Sequence, residues 1–586
     1  LKQLTSKPMK GEKWIYPITL FAFLCLRAFA FSYFSGNYTD SDQCVMWQMA
    51  DDFAHFRFYT PFFYGQLYSS GLEAWLAAPL IWLGLPAYRA VPLITALFST
   101  LPWIWMSQWA KKTRGPIWGS AILCLSLAFP ISWLQTTYIS RGFMQSVFLT
   151  SLATRFIHRS KFWLNVGLFL TAWGLMQNAN GILLLPGVFP LWINEVQRRS
   201  MSQTLGGSRT AQTQSHPSVS SSRTVTLIHV MRLFWPAIVG IVSLFFAYSM
   251  AKSMHPEWMI HATVQTHFSW QVFTESIQRY NWFLQHTYSG RPPLLGCGII
   301  AFTALLIATP SSKSQWLSFW GILLLPLVLL AIEKTTDGTE NIFFGYGRFF
   351  LAIPFAWGWL VSSSEFSFGG LNRLWDLPIK KTFLISSRFL RQSAVVRVVY
   401  FIGLFAAVGL YGYRFWDRCS IRELGKTYVP VMIYPINQLR GDAEKMAQLC
   451  KSEHIGAVVV LDHYVLETAS MGFAHLATFP LQSEIQPSDT LPDCFKIHNP
   501  IPIIRPKYER RHWLLKEIKE QKYVPHKVAV MDVFKDSAWG DRLPFKHQLA
   551  DVRGPVFIFE TGEMTLSDFL DLITKSSDAL PSTKKR

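Results

Sequence analysis

At 586 residues the chain has room for several soluble domains, but 50% hydrophobic against 16% charged residues is too apolar for that. A net charge of +19 would raise nucleic acid as a partner, yet of 55 Lys+Arg and 36 Asp+Glu, 23 and 22 lie from Asp417 onward, so the excess belongs to the apolar part. There it falls on short loops between apolar runs, the pattern of cytoplasmic loops in a membrane protein, which removes the support for nucleic acid; seven cysteines with no CxxC and no Cys/His ligand spacing indicate neither a zinc site nor a redox dithiol.

The chain opens with Lys2, Lys7, Lys10 and Lys13 ahead of a long apolar run without a small-residue cleavage site, which reads as a retained first span with its N-terminus in the cytoplasm. Apolar stretches near 14–35, 88–109, 116–134, 142–157, 162–177, 180–194, 233–251, 293–309, 315–332, 347–363 and 395–416 give about eleven spans. Threaded this way, every basic cluster lands on one side: Lys111, Lys112 and Arg114; Arg155, Arg159 and Lys161; Arg198, Arg199, Arg209, Arg223 and Arg232; Lys313; and Lys380, Lys381, Arg388 and Arg391. The opposite loops are 36–87, 252–292 and 333–346, which are acidic, aromatic and His-bearing. Residues 200–224, rich in Ser, Thr, Gln and Gly, read as a disordered stretch of a cytoplasmic linker over 195–232. An odd number of spans puts 417–586 outside, where Ile455–Asp462, Lys527–Val533 and Val556–Glu560 read as strands between helical stretches at 441–453 and 508–522. The expected architecture is a polytopic α-helical membrane protein over 1–416, followed by an extracytoplasmic α/β domain over 417–586.

The first external loop is where chemistry is expected. It runs through Asp40, Asp42, Gln43, Trp47, Asp51 and Asp52, then Tyr64, Gln66 and Tyr68, then Glu73 and Trp75. Met46, Met49, Phe53 and Phe56 recur at helical spacing with Asp42, Asp52 and His55 off the stripe, as in a helix lying in the interface, and a second amphipathic stretch at 71–84 is interrupted by Pro79. Asp40 and Asp42 then sit where the first span ends, at headgroup depth. Carboxylates beside hydrocarbon are costly and are functional candidates by default, although helix capping is the alternative for either Asp alone.

The order Asp40-x-Asp42-Gln43, Trp47, Pro61-x-Phe-Tyr-Gly-Gln-x-Tyr68, Glu73 and the Leu83-Gly84-Leu-Pro86 turn resembles the first periplasmic loop of bacterial glycosyltransferases of the C superfold. That group contains the protein O-mannosyltransferases (family 39-like) and lipid A aminoarabinose transferase. The likeness is good over about 14–160 and looser beyond. It implies a GT-C-like fold, a polyprenyl-phosphate-sugar donor, a glycan, lipid or protein acceptor hydroxyl at the outer face of a bacterial inner membrane, and inversion in one displacement. Asp42 aligns best with the family's loop aspartate and would be the general base, with Asp40 its close alternative. Gln43, Trp47, Tyr64, Gln66, Tyr68 and Glu73 would line the donor and acceptor sites.

A departing phosphate needs charge stabilisation more than a general acid, and Arg141, Arg279, Arg291 and Arg348 are the external cations available, Arg141 and Arg348 foremost. Snorkelling to headgroups is the alternative for Arg348. His267 or His286 with Glu275 or Asp42 leaves a divalent cation open, but an interfacial aromatic belt accounts for that loop as well, and no metal is assigned. The Lys-Pro-Pro-Leu signature that aminoarabinose and some mannosyl transferases carry is absent from the loop, with Tyr64-Gly-Gln-Leu near its place, and no Trp-Trp-Asp run occurs in the outer domain. The competing readings are a non-catalytic membrane scaffold with a sensory or binding outer domain, and a transporter; the latter calls for repeated halves or acids in mid-span, which the sequence does not show.

Overall fold

A computed structural model of the chain describes residues 12–35, 38–39, 41–64, 70–126, 143–207, 219–254, 265–268, 270, 273–274, 313–330, 332–335, 346–362, 434–460, 503–504, 516, 518–520, 522–531, 547–549 and 556–578. The first helix, α1 (Glu12–Ala30), turns Trp14, Phe21 and Phe29 outward and sets Tyr16 and Phe23 against its neighbours, the division expected of a helix with lipid on one side. A π-helical turn at Phe31–Ser35 ends it, and β1 (Tyr38–Thr39) follows. Two helices of the loop read as external come next, α2 (Ser41–Ala54) and α3 (Leu72–Trp82), then the long α4 (Ala87–Arg114).

Local sequence explains the α4 boundaries. Gly84, at φ 91, makes the turn after α3, and Pro86 in extended conformation precedes the first helical residue. At the other end Gly115, at φ 106, stops α4, and Pro116 starts α5 (Pro116–Leu125) at the position where its missing N–H costs nothing. The bundle continues with α6 (Phe143–Thr154), α7 (Lys161–Gln177), a 3-10 turn at Ala179–Leu184, α8 (Leu185–Gly207), α9 (Val219–Met254), α10 (Lys313–Leu330) and α11 (Tyr346–Ser362). Each coincides with an apolar run read from the sequence. The expected spans at 293–309 and 395–416 lie outside the described residues, as does the latter part of 116–134. Among the described residues, Trp14–Tyr33, Ala87–Thr113 and Phe234–Ala251 are long and apolar enough to cross a membrane.

Polar side chains stitch these helices where a backbone group would otherwise be stranded in hydrocarbon. Pro236 lies inside α9, and the N–H of the next residue, Ala237, donates to Asn165 Oδ1 of α7 at 3.1 Å. Trp359 Nε1 of α11 donates to Ser151 Oγ of α6 at 3.1 Å, and the Tyr16 hydroxyl of α1 meets Ser107 Oγ of α4 at 3.0 Å. At the end read as cytoplasmic, the Glu195 carboxylate of α8, fully buried, binds Arg198 Nη2 and Arg199 Nε at 2.6 Å each and His158 Nδ1 at 2.7 Å. Arg199 also donates to the Ile157 and Arg159 carbonyls, which fastens the α6–α7 connection to α8.

Three details differ from the sequence reading. α3 runs through Pro79 instead of stopping there, because the helix is only eleven residues long and tertiary packing of Ala74, Ala77 and Ala78 outweighs one missing hydrogen bond. Phe56 leaves the apolar stripe of α2, since the helix ends at Ala54 and the chain turns at Phe56 with φ 61, leaving that ring 68% exposed. Residues 200–207 and 219–224, read as disordered linker, are helical: α8 and α9 propagate past their apolar segments, as helices do once nucleated, and only 208–218 lies outside the described residues.

The C-terminal segment contains β4 (Tyr434–Pro435), α12 (Ile436–Ser452), β5 (Ala457–Val460), β6 (Ile503–Ile504), β7 (Lys527–Met531), β8 (His547–Leu549), β9 (Val556–Glu560) and α13 (Leu566–Asp578). Five strands form a mixed sheet in the order β6-β5-β7-β9-β8, with β6, β5 and β7 parallel and β7, β9 and β8 antiparallel. Val459, Val528, Val530, Phe557 and Phe559 pack beneath α13 on one face, while Val458, Ala529, Val556 and Ile558 share a core with Met446 and Cys450 of α12 on the other. The strands expected at 455–462, 527–533 and 556–560 are all present.

Candidate active site

The loop between the first span and α4 is built on a buried acid. Glu73, in the first turn of α3, is 0% exposed, and its Oε2 accepts Gln145 Nε2 of α6 at 2.9 Å. Its Oε1 accepts the Thr95 hydroxyl of α4 at 3.1 Å, and the same Gln145 amide donates to the Ser70 carbonyl at 2.9 Å. A buried carboxylate costs several kcal/mol unless its lone pairs are satisfied. Here two helices supply the donors, Thr95 from α4 and Gln145 from α6, so the entry of α3 is locked to both.

The descent from α2 into α3 is fixed in the same manner. Tyr64, fully buried, donates its hydroxyl to Asp52 Oδ2 at 2.7 Å. Asp51 is 8% exposed; burial, then the charge of Asp52 beside it, push its carboxyl up to about 8, with Arg57 opposing. His55 Nδ1 donates to the Asp51 carbonyl at 2.7 Å, and burial holds its imidazole below the ordinary value. Trp47 is 0% exposed and meets the Tyr88 ring edge-on at 6.4 Å between centroids, while Gln43 is 2% exposed. These side chains underlie the loop.

Of the remaining residues singled out from the sequence, Asp42 is the second residue of α2 and Arg348 the third of α11; both are placed by backbone alone, their side chains lying outside the described atoms. Asp40, Gln66, Tyr68, Arg141, Arg279, Arg291, Glu275 and His286 lie outside the described residues. His267 is on β2 (Gln265–Phe268), in register with Glu333 of β3 (Ile332–Thr335). Among the described residues no group of three His, Cys, Asp or Glu side chains is placed to hold a metal ion.

Sequence reasoning missed Gln145 and Thr95, the partners of Glu73. An amide inside the apolar run 142–157 was the available signal, since such a group needs a partner in hydrocarbon. It also missed the backbone pairing of Tyr38 with Pro435 and Thr39 with Tyr434, which joins the segment preceding Asp40 to the start of α12. No local pattern announces a pairing between such distant segments.

No family model and no curated protein matches this chain. Two solved structures do, across nearly its full length. ArnT from Cupriavidus metallidurans in the apo state is 14% identical, covering 92% of this chain and 97% of that one with a TM-score of 0.50. The same protein bound to undecaprenyl phosphate is 12% identical, covering 93% and 98% with a TM-score of 0.48. At this identity the likeness is one of fold: the chain has the GT-C fold of a polytopic membrane protein, as the residues of its first loop had suggested.

Proposed function

We propose that this chain is an inverting glycosyltransferase that moves a sugar from a polyprenyl-phosphate donor to an acceptor hydroxyl at the outer face of a bacterial inner membrane. The observation that carries the reading is a pair of acids, Asp40 and Asp42, at the junction between the first span and α2 in a GT-C fold. Behind this junction the Glu73–Gln145–Thr95 network locks α3 to α6 and α4, and the Tyr64–Asp52 hydrogen bond holds the last turn of α2.

In this reading the Asp42 carboxylate accepts the proton of the acceptor hydroxyl. That oxygen forms its bond to the anomeric carbon as the bond from carbon to the phosphate oxygen breaks, and the electron pair leaves on the polyprenyl phosphate. Configuration inverts in the single displacement. Arg348, entering α11, and Arg141 stabilise the phosphate as its charge grows. Gln66 and Tyr68 contact the sugars, whereas Gln43, Trp47, Tyr64 and Glu73 set the shape of the surface beneath them. The C-terminal domain over 417–586 lies outside the membrane and takes part in acceptor recognition.

Transfer from synthetic polyprenyl-phosphate sugars by the protein in lipid nanodiscs tests this. Asp42→Asn is expected to lower kcat by roughly 100-fold or more with little change in donor KM, the range for loss of a general base. A folded Asp42→Asn protein that transfers sugar at the unaltered rate sinks the reading and favours a scaffold or transporter.

A further inference from the structure

The segment that carries the two candidate bases is held from outside the helix bundle. β1 (Tyr38–Thr39) lies between the π-turn that ends α1 and the first residue of α2, so Thr39 directly precedes Asp40 and stands three residues before Asp42. Its partner is β4 (Tyr434–Pro435), in antiparallel register with Tyr38 opposite Pro435 and Thr39 opposite Tyr434. Pro435 has no N–H, so the hydrogen-bonded pair of this ladder is Thr39 with Tyr434, and Tyr38 with Pro435 is the pair without mutual hydrogen bonds. Thr39 is 1% exposed and Ile436, the next residue after the ladder, 2%.

β4 passes without a break into α12, whose Met446 and Cys450 are fully buried against the C-terminal sheet. The ladder is therefore a direct mechanical link from the sheet to the residue preceding Asp40. A two-residue ladder is too short to decide whether the helix bundle folds, but it fixes the backbone of the residue directly before Asp40. A pairing at that point sets where the acids stand.

We propose that the C-terminal segment positions the catalytic loop through the β1–β4 ladder, so that the outer domain acts on the chemistry through Thr39 and Tyr434 without touching the reacting atoms. This role rests on the glycosyltransferase reading. It makes Thr39 and Tyr434 positioning residues, and it gives binding of an acceptor on the C-terminal segment a route to the base.

Tyr434→Pro removes the N–H that Tyr434 contributes and alters nothing within residues 36–64; extended backbone before Pro435 accommodates it. In full-length protein in nanodiscs it is expected to lower kcat on the order of tenfold or more, as small misplacements of reacting groups do, while the Kd for a polyprenyl phosphate is unchanged. Cysteines at the non-hydrogen-bonded pair, Tyr38→Cys with Pro435→Cys, are expected to crosslink under mild oxidation with kcat retained. Combining both with Tyr434→Pro separates positioning from general damage: kcat should recover on oxidation and fall again on reduction. Failure of the crosslink to form, a Tyr434→Pro kcat within twofold of the original, or no recovery on oxidation overturns this role in a protein that transfers sugar. A protein that transfers sugar from no donor tested overturns the functional reading, and this role with it.

Discussion

Asp51 shows what burial does to a single acid. Its carboxyl is raised from 3.8 to about 8, first by desolvation and then by the Asp52 charge. A folded-state value above the unfolded one means the native protein holds a proton the unfolded chain releases. The stability this contributes is complete below about pH 4 and is lost as pH rises through about 8. Asp51→Asn removes that slope, so melting temperatures followed from pH 5 to 8.5 should show the variant gaining on the original protein as pH rises; parallel curves would mean that Asp51 is ionised throughout. Asp51 was visible in the sequence as one more loop acid. Its burial was not, because that depends on the chain turning back at Phe56 and on Tyr64 occupying the Asp52 carboxylate.

Helices were legible from apolar runs, but their faces were not always. The residues of α3 looked like an amphipathic surface helix, yet it buries Glu73, Ala74, Ala77 and Ala78 and turns Trp75, Leu76 and Trp82 outward. With Phe56 against Trp82 at 5.6 Å and Leu83 84% exposed, this edge of the loop is an apolar rim of the kind that suits the acyl boundary of a membrane. Small residues set the helix spacing elsewhere. A Cβ on Gly187 of α8 would collide with the Ala356 carbonyl oxygen of α11, and backbone cannot yield as a side chain does. Gly187→Ala should destabilise the protein by about 1–3 kcal/mol, whereas Gly441→Ala in α12, where a Cβ meets nothing within 4 Å, should stabilise it by about 0.5–1 kcal/mol. Thermal unfolding of the two variants checks the contrast, and a harmless Gly187→Ala would mean that α8 and α11 are not this close.

The placement of the basic clusters orients the chain in its membrane. The orientation we propose has the N-terminus inside, so that residues 36–87 and 417–586 would face out and the 155–161 connection would face in. A membrane-impermeant maleimide applied to intact cells should therefore label Phe58→Cys and Lys519→Cys, both at exposed positions, and should label Lys161→Cys only after permeabilisation. The reverse pattern would remove the first loop from the outer leaflet and with it the proposed donor.

Hydropathy and charge asymmetry act over windows of about 20 residues, the length of one bilayer crossing. For that reason the spans, their expected sidedness and the loop rich in acids could be read before any tertiary contact was known. The ordered motif of that loop pointed to the GT-C fold as well. Which polar groups meet is a different kind of fact. Glu73 finds Gln145 at 72 residues' remove, and Thr39 finds Tyr434 across most of the chain, because helix packing, and not local preference, brings them together. A buried polar group has to be satisfied wherever the fold leaves it, so its partner is chosen by the assembled structure alone.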